Sequence, residues 1–263
     1  MRIGMSSSCF YPQETEASLR RIGEAGAKTA EIFFNAPSEL EGALLRELCA
    51  IRDRYGMEIV SIHPFMSFAE FFYLFSDYRR RFTDSLELYK HFFAAGAALG
   101  AKWFVLHGAT KLVIDKADYA ERLWRLNETA KPFGMRVAHE NVVRFVGEDP
   151  AFMAYLYGQL GDDFHMVLDL KQSRRAGVDP FLFIEQVGPH IEHVHISDSD
   201  AYRDCLPPGK GTFDFRRLFL QLNALGYAGT YMIELYRENF TAPQELTQAQ
   251  NFLLRLLASW ENE

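Results

Sequence analysis

The chain is poor in cysteine: Cys9, Cys49 and Cys205 are its only three, they lie far apart, and no CxxC pair occurs. An odd, dispersed set signals neither a disulfide framework nor a thiolate metal site, and it fits a reducing cytoplasm. Long apolar runs are also missing, and the opening MRIGMSSSCF reaches polar residues before any stretch long enough for a signal peptide, so neither membrane insertion nor secretion is expected. Positive charge is in deficit. With 28 Lys and Arg against 35 Asp and Glu the formal charge is −7 and the pI ≈ 5.7, a surface that repels phosphate polyanions and makes nucleic acid a poor partner. Neither GxGxxG nor GxxxxGK[ST] occurs, which removes the backbone cradles that hold nucleotide phosphates. No Ser/Gly/Pro-rich linker divides the 263 residues, so a single domain spanning 1–263 is expected.

What is present is an ordinary globular composition, 48% hydrophobic and 24% charged, with a regular alternation of patterns. Eight short apolar or β-branched runs occupy 2–6, 29–34, 58–65, 103–107, 136–142, 165–170, 193–197 and 230–236. Between them the apolar period is helical: Phe82, Leu86, Tyr89, Phe93 and Ala97 form one stripe, and Leu246, Ala249, Leu253, Leu256 and Trp260 another. Gly100, Gly134 and Gly226 each fall just before a run, where a helix ends in a left-handed cap. Eight strands alternating with helices predict an α/β fold, the (β/α)8 TIM barrel, with an open doubly wound sheet as the alternative.

In such a barrel chemistry sits at the C-terminal ends of strands. The runs end in Ile62-His63-Pro64, Leu106-His107-Gly108, His139-Glu140-Asn141, Leu168-Asp169-Leu170, Val194-His195-Ile196 and Ile233-Glu234-Leu235. Glu140, Asp169, His195 and Glu234 thus come from four consecutive strands, and their carboxylates and imidazole suit one Mn2+, Mg2+, Co2+ or Zn2+ ion. Three converging carboxylates resist burial without a cation to compensate them. Lys171, next to Asp169, is expected to point to the opposite side of its strand, whereas Arg203, Lys210 and Arg237 lie in loops within reach of the mouth. Alternation turns His139 toward the helices as a structural residue, and puts His193 one layer deeper than His195. A lone strand-end histidine is as readily a capping or core group as a functional one, so the weight rests on the set of four.

At these residues the chain resembles the xylose isomerase-like barrel superfamily, and within it the sugar phosphate isomerase/epimerase group with tagatose epimerase-type and inosose dehydratase-like proteins. The markers are Glu31 in Ala30-Glu31-Ile32, His63, His107, His139-Glu140-Asn141, Asp169, His193-Val194-His195-Ile196-Ser197-Asp198, Pro208-Gly209-Lys210-Gly211 and Ile233-Glu234. The resemblance implies that Glu140, Asp169, His195 and Glu234 hold the metal and that Glu140 and Glu234 move protons. One departure is Gln172, where the family often has a histidine three residues after the Asp. It can hydrogen-bond a hydroxyl but does not titrate.

The expected reaction is isomerisation or epimerisation of a small sugar, sugar phosphate or polyol ketone through a metal-stabilised enediolate, with Glu140 and Glu234 as base and acid. His63, His107, Gln172, Arg203 and Lys210 are the candidates for gripping hydroxyls or a phosphate. An inosose-type dehydratase would share the first step. Gln172 motivates a second class, a non-catalytic metal- or sugar-binding barrel, and an endonuclease IV-like nuclease is a minor alternative because histidines of its three-zinc cluster are missing. The apolar segment 66–75, MSFAEFFYLF, is expected to roof the site or to pack on the rim or against a second copy in a homo-oligomer.

Overall fold

The computed structural model of the chain describes residues 2–260, with the Trp260 side chain, residue 1 and residues 261–263 outside the description. Its eight strands are β1 (Arg2–Ser6), β2 (Thr29–Phe33), β3 (Glu58–His63), β4 (Trp103–Leu106), β5 (Arg136–Glu140), β6 (Met166–Asp169), β7 (Ile191–Ile196) and β8 (Thr230–Ile233). Each pairs in parallel with its successor, and β8 closes onto β1 through Thr230 to Ile233 beside Arg2 to Met5, which excludes the open doubly wound sheet. Several strands stop earlier than their apolar runs: β5 ends on Glu140 and β6 on Asp169, because beyond those residues the backbone leaves the ladder to begin the next connection.

Local chemistry starts and stops the helices. Asp115, Asp149, Asp179 and Asp214 each accept a backbone N–H from the first turn of the helix that follows, which satisfies donors that would otherwise be orphaned. Helix Arg79–Leu99 buries Phe82, Leu86, Tyr89 and Phe93 as its period predicts, whereas Ala97 is exposed and Ala95 and Gly96 take the inner face. The C-terminal helix Gln244–Trp260 buries Leu246, Ala249 and Leu253, while Leu256 is partly covered and Leu257 carries the stripe on. Tyr89, Phe92 and Phe93 pack edge-on around Phe104 of β4, an arrangement aromatic quadrupoles favour, and this locks the helix to the strand.

At Gly108, just after β4, φ is +85° and a Cβ would stand 2.2 Å from the Tyr119 hydroxyl and 2.6 Å from His139 Nε2. Only glycine lets the loop carrying His107 pass that close to the helix layer.

Candidate metal centre

The predicted quartet meets on one rim of the barrel. From His195 Nδ1, Glu140 Oε1 is 3.0 Å away, Glu234 Oε2 3.4 Å and Asp169 Oδ2 3.7 Å. All four residues are buried, and each offers a donor atom within 4.8 Å of the others. Glu140 Oε2 and Asp169 Oδ2 are buried without a hydrogen-bond donor aligned on them. Leaving a buried charged acceptor unsatisfied costs about 1–3 kcal/mol or more, so the vacant lone pairs and the oxygen-plus-imidazole donor set fit a divalent cation.

Beneath the rim lies a second polar layer. His195 Nε2 is 3.1 Å from Glu31 Oε2, which also accepts from the Ser61 hydroxyl at 2.8 Å, while Ser6 donates to the other oxygen at 3.0 Å. His193 Nε2 approaches the same carboxylate at 3.3 Å, so the histidine that sequence left unassigned shares an anchor with His195. Burial alone would push the Glu31 carboxyl up, but the charge and hydrogen bonds of His195 and His193 hold it well below its ordinary value. Burial likewise opposes charge on His195, and Glu31 and Glu234 reverse that and raise it well above an ordinary imidazole. Glu31 fixes the ring so that Nδ1 faces the quartet, the role a carboxylate plays behind a metal-ligating histidine. Sequence reading marked Glu31 but gave it no role. Its available signal was a carboxylate inside an otherwise apolar strand run.

Asn141 was also passed over. Asp169 N–H donates to its Oδ1 at 2.6 Å, and its amide donates back to the Asp169 carbonyl at 3.0 Å, which pins the strand end that aims Asp169.

Lys171 corrects an expectation. Strand alternation was to turn it away from Asp169, but β6 ends at Asp169, and Leu170–Ala176 is a helix capped by the Asp169 side chain on Gln172 N–H. The side-chain period therefore switches from two to 3.6 at this residue, and Lys171 comes back over the mouth. Its ammonium lies 2.7 Å from Glu234 Oε2 and 3.1 Å from Asp169 Oδ2. Burial would depress its pKa, yet those two carboxylates raise it well above the ordinary value; burial still leaves Asp169 raised, whereas Lys171 and His195 hold Glu234 low despite burial.

The quartet opens onto a cavity of about 470 Å³ whose wall includes His63, His107, Glu140, Lys171, Gln172 and Glu234. His63 stacks on Phe33 with ring centroids 4.5 Å apart and meets His107 at 3.0 Å between Nε2 atoms. Glu140 Oε2 lies 3.0 Å from His107 Nε2 and 3.7 Å from His63 Nε2, so Glu140 joins the histidines to the quartet. Burial would raise the Glu140 carboxyl, and His107, His195 and His63 together bring it well below its ordinary value. Gln172 accepts from Val143 N–H at 3.2 Å.

Arg203 and Lys210 do not line this cavity. Arg203 is exposed and paired with Asp200, three residues earlier, at 2.6 Å, and Lys210 is exposed in the turn that follows Pro208. Arg237 is used locally, donating to the Phe240 carbonyl at 2.8 Å. His139 faces the helices, where its Nε2 meets the Tyr119 hydroxyl at 2.8 Å, and burial lowers its pKa to about 4.

Segment 66–75 does two things. Phe68, 75% exposed, borders the cavity mouth, while Leu74 and Phe75 are buried and Phe75 stacks on Tyr119. Between them Glu70 is fully buried and accepts the Gly108 N–H at 2.7 Å, tying the segment to the loop that carries His107.

Known proteins resemble the chain along most of its length. An uncharacterized protein of Methanocaldococcus jannaschii, MJ1311, is 24% identical, with 89% of this chain and 83% of that protein aligned. The 3-dehydroshikimate dehydratase of Pseudomonas aeruginosa is 25% identical over 96% of this chain, which spans only 40% of that longer enzyme. Among solved structures, an L-ribulose 3-epimerase superposes with a TM-score of 0.80 at 20% identity, covering 99% of this chain and 96% of that one. The family model described as xylose isomerase-like TIM barrel matches residues 19–256, so the chain, with its closed eight-stranded barrel and acidic rim, belongs to the xylose isomerase-like TIM barrel family.

Proposed function

We propose that the protein is a divalent-metal-dependent isomerase or epimerase of a small sugar, sugar phosphate or related polyol ketone. The observation that supports this is the convergence of Glu140, Asp169, His195 and Glu234 beside a cavity that both glutamates enter. Bound there, Mn2+, Mg2+, Co2+ or Zn2+ supplies Lewis acidity toward a carbonyl oxygen and its neighbouring hydroxyl. Glu140, kept as a carboxylate by its three histidine neighbours, takes the proton from the carbon next to the carbonyl. Glu234 approaches from the β8 side with its Oε1 accepting from the Ser8 hydroxyl at 3.4 Å; it rests as a carboxylate, so it takes up a proton from solvent and passes that proton to carbon, while the one held by Glu140 is released to solvent. Return to the same carbon from the opposite face inverts it, and return to the adjacent carbon exchanges aldose and ketose. His63, His107 and Gln172 offer hydrogen bonds to hydroxyls, and Phe33, Phe65 and Phe68 cover the apolar faces of the sugar and keep water out.

A reducing, cytoplasmic setting belongs to this reading. Cys9 and Cys205 are buried free thiols pushed up to about 12 and about 11 by desolvation, and Cys49 is also unpaired. No described helix is long and apolar enough to cross a membrane.

The test is to incubate protein with Mn2+ and a panel of ketoses and inososes in D2O and to follow deuterium at carbon by NMR. Wild type should exchange one position, and Glu140→Gln and Glu234→Gln should each lose on the order of 10³-fold, the scale of a positioned acid–base group. Metal binding without exchange or turnover of any candidate would sink the proposal in favour of a non-catalytic barrel. The dehydratase relative supports a second reading on the same site, which the experiment separates because water loss yields an unsaturated ketone absorbing in the ultraviolet.

A further inference from the structure

Lys171 breaks two local rules at once. It is a cation buried to 3% side-chain exposure, and it is the second residue of helix Leu170–Ala176, where the unpaired N–H groups already concentrate positive charge. Residues that violate local preference without a local gain belong to sites that use them. Its ammonium engages Asp169 Oδ2 and Glu234 Oε2, from two of the four carboxylate and imidazole donors, and it is the only Lys or Arg among the described residues lining the cavity. Asp169 Oδ2 nevertheless has no aligned hydrogen bond, so the ammonium attracts that oxygen without satisfying it. The Tyr236 ring, also in the cavity wall, already has its centroid 4.9 Å from Nζ, within the range of a cation–π contact, and it is held in place by Arg175, whose guanidinium is 4.9 Å from the same centroid and donates to the Tyr236 hydroxyl at 3.0 Å.

We propose that Lys171 is a built-in counter-ion of the metal centre, which holds Asp169 and Glu234 in the ion-free protein, competes with the divalent ion for their oxygens, and turns toward Tyr236 and the cavity when the ion binds. The inference rests on the metal reading above. Glu31, Glu140, Asp169 and Glu234 bring four carboxylates into one buried cluster, and without an ion only protonated side chains can balance them. Lys171 keeps the carboxylates gathered in that state. An arriving ion needs the lone pairs the ammonium faces, and two cations a few ångströms apart in a buried site repel strongly. The flexible four-carbon stem lets the ammonium yield, which a rigid guanidinium would not do as easily. Once turned, it presents the cavity with a cation able to receive a substrate oxygen.

Two measurements test this. Titration calorimetry with MnCl2 should show Lys171→Met and Lys171→Gln binding at least about tenfold more tightly than wild type, because each removes a competing charge. Equal or weaker binding in folded variants would overturn the inference. The second measurement needs no variant: acetic anhydride labelling of wild type, read at Lys171 by peptide mass spectrometry, should rise severalfold when Mg2+ is added, and unchanged labelling with Mg2+ bound overturns the inference. Failure of wild type and both variants to bind Mn2+ at all is a separate outcome, which removes the metal reading and this inference with it.

Discussion

The barrel contains the same histidine–glutamate contact at both of its ends. At the N-terminal end His165 Nδ1 lies 3.1 Å from Glu192 Oε1, and below the acidic rim His195 Nε2 lies 3.1 Å from Glu31 Oε2. The distances agree, but the surroundings differ. Glu192 is 30% exposed and water shares its charge, whereas Glu31 is fully buried and also receives Ser6, Ser61 and His193. A pair with one partner partly open to water contributes less because solvent competes for that partner, while a fully buried pair must be complete, since either partner alone is a desolvated charge. Equal geometry therefore carries unequal consequences, and the contrast can be pressed experimentally.

The largest difference should appear in stability. Glu31→Ala strands His193, His195 and two serine hydroxyls around a void, and removing one partner of a buried pair costs about 3–5 kcal/mol. Glu192→Ala should cost no more than about 1 kcal/mol. Urea denaturation of the two variants beside wild type measures both, and equal losses would show that burial does not distinguish the pairs.

Next in size is the effect on the proposed metal centre. Glu31→Gln keeps volume and one acceptor but weakens the grip on His195, and loss of such a supporting carboxylate lowers metal affinity about 10–100-fold. Glu192→Gln, at the far end, should leave Mn2+ affinity unchanged by calorimetry. A Glu31→Gln protein with wild-type affinity would mean that the imidazole is held well enough by the barrel alone.

These residues also show what was legible in the sequence. Glu140, Asp169, His195 and Glu234 could be named because each interrupts or ends an apolar run, and strand ends on one rim of a closed barrel are neighbours by topology. The closed barrel followed from counting runs. Lys171 was misplaced because its direction depends on where β6 gives way to a helix, and a boundary one or two residues off reverses which way a side chain points. Glu31 gave no sign of its partners, since its four contacts come from three strands, β1, β3 and β7, and residues so far apart in the chain become neighbours only when the barrel forms. Arg203 looked free to reach the mouth, yet Asp200, three residues away, satisfies it locally.

A third carboxylate sharpens the comparison through pH. Glu70 is as buried as Glu31 but lacks a cationic partner. Burial pushes its carboxyl well above the ordinary range, and the N–H groups of Gly108 and His107 offset this only in part. The folded protein thus binds a proton there that the unfolded chain has already released. For an acid with a raised folded pKa, the native state holds more protons, so its contribution falls as pH rises from the unfolded value near 4.5 through the folded one. Glu70→Gln, which retains an oxygen for the Gly108 N–H, should therefore gain on wild type between pH 5 and pH 8 in melting temperature. A gap independent of pH over that window would show that Glu70 is ionised in the fold.

The smallest effect belongs to the N-terminal end. Arg2 and Glu58 face each other from β1 and β3 with side chains 45% and 55% exposed, and screening by water and salt leaves such a pair about 0–1 kcal/mol. Arg2→Ala and Glu58→Ala should each shift stability within that range, and a double-mutant cycle should return a coupling that vanishes in 1 M NaCl. Placed beside the cost expected for Glu31, a coupling of several kcal/mol here would break the rule drawn from the two histidine pairs, because it would make charge at the barrel's end as consequential as charge in its interior.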